Sequence, residues 1–136
     1  MKDIVEATLM LDRCALHWQV ELSPEDTRTY AEQCLSYNGS TRENVTNLVK
    51  MVDEAVPLMD FGGNNPNNGK PCHHYAVGCE GSRVIYLRIH KRLAPHDLDY
   101  RALERKLDHI ARQCQVDEFW MVANTGAEFI YRFWWD

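Results

Sequence analysis

The chain lacks any apolar run near the ~18–20 residues that span a bilayer. Its first residues, Met1-Lys2-Asp3-Ile4-Val5-Glu6, put acids where a secretory leader carries a basic and then an apolar stretch. The expectation is a protein that is neither exported nor inserted in a membrane. Signatures of nucleotide chemistry are also missing. Gly62-Gly63 and Gly69 match neither the P-loop nor the dinucleotide fingerprint. Asp60-Phe61-Gly62 stands in a chain of 136 residues, too short for a kinase. An even set of closely spaced cysteines is absent as well. The five present are Cys14, Cys34, Cys72, Cys79 and Cys114, an odd number, three of them in stretches with helical patterning. They read as small buried thiols, all reduced, in the cytoplasm.

What is present is ordinary globular material. Hydrophobic residues make up 45% and charged residues 26%, which argues against disorder. This is the length of one domain, 1–136, and such a domain buries roughly two-thirds of its unfolded surface without disulfide or metal staples. The net charge of −5 hides an asymmetry. Residues 1–60 hold 5 basic and 11 acidic side chains. Residues 83–112 hold 8 basic side chains against 4 acidic ones, with His90, His96 and His109 among them. The two stretches predict either solvated faces of opposite sign or a surface that steers a charged partner.

Periodicity places helices early and strands late. Ile4, Thr8, Leu11, Ala15 and Trp18 fit one helical face, giving a helix over about 2–17 and an extended stretch to Leu22. Ser23-Pro24-Glu25-Asp26 is a helix start. Tyr30, Ala31, Cys34 and Leu35 form its stripe, and Asn38-Gly39 supplies a left-handed stop. Ser40 with Glu43 reads as a capping box ahead of Val45, Leu48, Val49, Val52, Ala55 and Val56, and Pro57 closes that helix. Residues 60–71 are turn formers throughout and predict a long surface loop between a helical part, about 1–57, and a sheet part, about 72–136.

The second half reads strand, strand, helix, strand, strand. His74–Cys79 and Val84–Lys91 flank Glu80-Gly81-Ser82. His96 or Asp97 opens a helix striped by Tyr100, Leu103, Leu107, Ile110 and Cys114. Glu118–Ala123 and Glu128–Trp135 flank Asn124-Thr125-Gly126-Ala127. These last strands are apolar on both faces, which predicts central strands covered on both sides, by the N-terminal helices or a second subunit. The fold class is therefore α+β, N-terminal helices followed by an antiparallel sheet of about four strands.

Three candidate chemistries follow. Cys72, His74, Cys79 and His90 are zinc-type ligands, but the two cysteines lie at opposite ends of a strand rather than on one tight turn, so no metal is expected. Cys72 with His73 or His74 could form a thiolate–imidazole pair for a small hydrolase or transferase, although no family signature surrounds it. Tyr86, Arg88, His90 and Arg92 alternate with the apolar Ile85, Leu87 and Ile89, so they share the opposite strand face. That row reads either as the polar side of a half-buried strand or as a recognition surface. The best-supported expectation is a cytoplasmic, non-enzymatic protein without cofactor that binds another macromolecule, most often a protein, as inhibitors, immunity proteins and adaptors do. The alternatives are the Cys/His enzyme and a nucleic-acid-binding protein using residues 83–112, the latter weakened by the acidic N-terminal half. A homodimer remains open.

Overall fold

The computed structural model describes residues 2–14 and 17–136. Four helices and five strands follow in the order α1 (Lys2–Cys14), β1 (Trp18–Leu22), α2 (Pro24–Gln33), α3 (Arg42–Ala55), β2 (His73–Cys79), β3 (Arg83–His90), α4 (Tyr100–Gln113), β4 (Glu118–Asn124) and β5 (Glu128–Trp134). The α+β class is as expected, with one strand more. The five strands form a single antiparallel sheet in the order β1-β2-β3-β5-β4. Among the described residues no helix is long and apolar enough to cross a membrane.

The extra strand is β1, from the otherwise helical half. It pairs with β2 from Trp18↔Cys79 to Leu22↔Tyr75. The loop over 60–71 therefore does not divide helices from strands. Gly78 makes the pairing possible, because a Cβ there would overlap the carbonyl oxygen of Trp18. The helix expected over 2–17 ends at Cys14, and Ala15 and Leu16 lie outside the described residues.

The helix boundaries follow local chemistry. Ser23 caps α2 by accepting from the Asp26 N–H, with Pro24 at the first helical position. Helix α2 stops at Gln33, ahead of Asn38-Gly39; Asn38 takes its left-handed φ of 43° inside the next turn, where Tyr37 bridges Ser40. Thr41, not Ser40, caps α3, accepting from the Asn44 N–H. Ser40 is buried, and its hydroxyl donates to the Tyr37 carbonyl. Asp99, not His96 or Asp97, caps α4 through the Ala102 N–H. The loop closes at its neck, where Met59 N–H donates to Lys70 and Gly69 N–H donates to Met59, at 2.8 and 2.9 Å.

One core lies between helices and sheet. Tyr30, Val45, Leu48, Val49, Val52, Leu103 and Leu107 meet Tyr75, Val77, Ile85, Leu87, Ile89, Tyr131 and Phe133 there, all essentially inaccessible. Among the described residues no helix covers the other sheet face. The expectation that the N-terminal helices cover it fails, because they join α4 on the inner face. Strand β4, apolar on both sides, is an edge strand rather than a central one.

Two charged groups reach the inner layer. Arg83, 2% exposed, starts β3 facing inward and pairs with the buried Asp12 of α1 at 3.1 Å. Asp12 also accepts from the Tyr30 hydroxyl at 3.1 Å and the Leu35 N–H at 2.8 Å, and Arg83 donates to Tyr30 and the Leu35 carbonyl. With both charges hydrogen-bonded on several sides, the pair is tolerable in a low-dielectric interior.

Candidate functional site

The bare sheet face is where side chains are least accounted for by folding. The register assembles it from three cross-strand rows, flanked by the His90↔Glu128 pair. Glu21, Ala76, Tyr86, Arg132 and Trp120 form the middle row, one residue from each strand. Gln19, Gly78, Val84, Trp134 and Glu118 form the row on one side, and His74, Arg88, Ile130 and Ala123 the row on the other. A bulge between Met121 and Ala123 lets β4 carry Val122 as an extra residue.

Arg132 is the hub. Its guanidinium lies 5.0 Å from the ring centre of Trp120 and 5.7 Å from that of Trp134, a cation between two indoles. Its donors reach Glu80 at 3.1 and 3.3 Å and Glu118 at 3.2 Å. Glu80 curls over the face from the β2–β3 turn. Its carboxylate also accepts from the Tyr86 hydroxyl and from Gln19 at 2.9 Å, while its carbonyl accepts from the Trp134 indole at 3.1 Å. Burial pushes Glu80 up, but the hydrogen bonds from Tyr86, Arg132 and Gln19 outweigh it and hold the carboxyl below its ordinary value.

A second network lies beside it. Arg88 grips Glu128 with two donors, at 2.6 and 3.3 Å, and also binds Glu21. Hydrogen bonding from Arg88 is the main cause holding Glu128 below its ordinary value. His74 Nδ1 lies 2.8 Å from His90 Nε2, and His74 Nε2 lies 3.4 Å from Glu21. Burial, followed by the neighbouring His74, lowers His90. These bonds tie the long polar side chains of the face to one another across neighbouring strands.

Three members of the row read from sequence, Tyr86, Arg88 and His90, stand on this face. Arg92 does not, because β3 ends at His90 and Arg92 falls in the turn beyond it. Sequence reasoning missed Trp120, Arg132 and Trp134, whose tryptophans looked like core residues. Trp120 is 46% exposed, which follows from the edge position of β4. The detectable signal was Arg132, a charge inside the apolar run from Phe129 to Trp135.

The Cys/His cluster is dispersed. The Cys72 thiol is buried and donates to the Pro57 carbonyl at 3.1 Å, and burial raises it away from thiolate. His73 faces the core and bonds Asp53 at 2.9 Å, where the Tyr75 hydroxyl shares the same carboxylate oxygen at 2.5 Å. His74 faces the opposite way, toward His90. Cys79 lines a cavity of about 130 Å³ with Asp12, Tyr37 and Arg83. Of the four zinc-type candidates only His74 and His90 meet, and among the described residues no three His, Cys, Asp or Glu side chains converge as a metal group. The basic stretch divides too. Arg83 is buried, Arg88 is neutralised by glutamates, and Arg101, Arg105, Lys106 and Arg112 line the exposed side of α4 in the helix layer.

No family model, curated protein or solved structure matches the chain, so function rests on what this geometry can do.

Proposed function

We propose that this protein acts without catalysis, by binding another protein through the bare sheet face, as an inhibitor, immunity or adaptor protein does. The observation that carries the reading is the Arg132 hub: a guanidinium held between Trp120 and Trp134, beside Tyr86, on a face with no helix over it. Trp, Tyr and Arg are the residue types that most often dominate binding energy at protein interfaces. Four carboxylates, Glu21, Glu80, Glu118 and Glu128, surround two guanidiniums, Arg88 and Arg132. That balance suits a partner with lysines or arginines around an apolar centre, and it works against a phosphate backbone. The free thiols of Cys34, Cys72, Cys79 and Cys114 fit action in the cytoplasm.

The experiment has two steps. A partner is captured from an extract of the native host and purified, and its affinity is then measured for the wild type and for Tyr86→Ala combined with Arg88→Ala. Weakening by roughly 2 kcal/mol or more, with circular dichroism nearly unchanged and only a small fall in melting temperature, is the expected result. A lower melting temperature with unaltered affinity would remove this face from the functional account.

A further inference from the structure

We infer that the solvent-facing ridge of α4, with the groove beside it, docks an acidic amphipathic segment of a partner protein. This surface belongs to the helix layer, and the inference goes beyond the reading proposed for the bare sheet face. The arginines of the sheet are all neutralised: Arg83 by Asp12, Arg88 by Glu21 and Glu128, Arg132 by Glu80 and Glu118. The cations of α4 are treated differently. Arg101, Arg105, Lys106 and Arg112 are exposed, and among the described residues only Arg112 of these four has an ion-pair partner, Asp108 at 3.1 Å. Leu103, Leu107, Ile110 and Ala111 turn inward, so Arg101, Arg105, His109 and Arg112 share the opposite side, a ridge about 16 Å long.

The acids of this helix stand off the ridge. Asp99 caps the first turn, Glu104 accepts from the Tyr131 hydroxyl, and Asp108 holds Arg112. Glu104 and Asp108 line, with Arg105, Phe119, Trp120 and Met121, the groove between α4 and β4. Sign and pattern together identify the occupant. An unneutralised row of guanidiniums calls for carboxylates or phosphates. A nucleic-acid strand is negative at every step, so it would meet Glu104 and Asp108 beside the ridge and a chain of net charge −5 around it. A protein segment can be selective. It can set glutamates or aspartates against Arg101, Arg105 and Arg112, and keep like charge away from Glu104 and Asp108. Its apolar side chains then enter the groove beside Trp120 and Met121, which are 46% and 39% exposed. Carboxylates three or four residues apart, with large apolar residues on the adjoining flank, are the pattern of an acidic amphipathic helix.

Fluorescence anisotropy of labelled probes on the full chain tests this. One probe is a synthetic peptide with glutamates spaced to match the ridge and leucines on the adjoining flank. The second has the same composition in scrambled order, and the third is a single-stranded RNA of mixed sequence. The patterned peptide should bind saturably, roughly tenfold or more tighter than the scrambled one, and weaken as salt rises. Arg101→Glu with Arg105→Glu should stay folded by circular dichroism, since both side chains are exposed, and should weaken the peptide by roughly tenfold or more. Arg101→Gln with Arg105→Gln, which removes charge without adding acid, should weaken it in the same direction by less. Failure of the patterned peptide to saturate would overturn the inference. So would equal binding of the scrambled peptide, an affinity untouched by the arginine variants, or tighter binding of the RNA. Tyr86→Ala combined with Arg88→Ala should leave the peptide's affinity unchanged, so this site and the bare sheet face succeed or fail separately.

Discussion

The two faces of the sheet come from the same strands, residue by residue in alternation, yet they obey different rules. On the inner face Leu87, Ile85 and Tyr131 are inaccessible and meet helices made by the same chain. On the outer face Tyr86, Arg88 and Arg132 bond the surrounding glutamates, and Arg132 lies over two tryptophans. Folding dictates the first set, because burial there supplies most of the stability. Folding places no such demand on the second set. Threonine or serine would also suit an uncovered face, and the aromatic and charged residues found there are the ones on which the proposed binding rests.

The comparison can be broken most forcefully at the buried Asp12–Arg83 pair of the inner layer. Asp12→Ala leaves Arg83 buried without its counter-ion and should cost about 3–5 kcal/mol in denaturant unfolding. A cost below about 1 kcal/mol would mean that Arg83 escapes to water and that α1 is loosely held. Leu87→Ala should cost about 2–5 kcal/mol, whereas its outer-face neighbour Tyr86→Ala should cost clearly less. Equal costs would show that the outer face is part of the folding machinery after all. Gly78→Ala forces a methyl group against the β1 backbone and should cost about 1–3 kcal/mol. Amide exchange should accelerate in β1 alone if the effect is local.

The smallest effect is in pH. Glu80 and Glu128 sit below their ordinary values in the fold, so the stability they contribute is present above the unfolded carboxylate range. It is lost as pH falls through that range toward the folded values. His90 is also depressed, so the unfolded chain takes up its proton first. Its share of stability is complete above the unfolded value of 6.5 and declines as pH falls below it. Glu80→Gln with Glu128→Gln should flatten the acid limb of a stability–pH profile, and His90→Gln should flatten only its start. An unchanged profile would mean that the outer networks contribute nothing to folding.

Much of this was legible in the sequence, for physical reasons. The two hairpins announce themselves through Glu80-Gly81-Ser82 and the Asn124–Ala127 turn, both local signals. Helix α2 follows from its cap, and α3 and α4 from apolar spacing, their caps being Thr41 and Asp99 rather than the residues expected. The alternation of Ile85, Leu87 and Ile89 with Tyr86, Arg88 and His90 fixes which side chains share a face. The extended stretch to Leu22 was legible, but its place in the sheet as β1 was hidden because it is only five residues long and its partner, β2, starts at His73. The exposure of Trp120 was hidden because an apolar strand looks the same at the edge as at the centre; only the sheet order separates them. Arg83 was counted with the basic surface, since nothing local reveals that Asp12 waits for it on a distant helix.

That last separation bears on how the chain is made. Asp12 and Arg83 are 71 positions apart, and β1 must likewise wait for β2. During synthesis α1 meets the Tyr30 hydroxyl and the Leu35 N–H first, whereas Arg83 and the β2 partner of β1 emerge only later. Closing so long a segment costs entropy before any contact repays it, which places these contacts late in folding. The Asp12–Arg83 pair therefore joins the two ends of that order: an acid laid down with the first helix is neutralised by a base that arrives with the third strand.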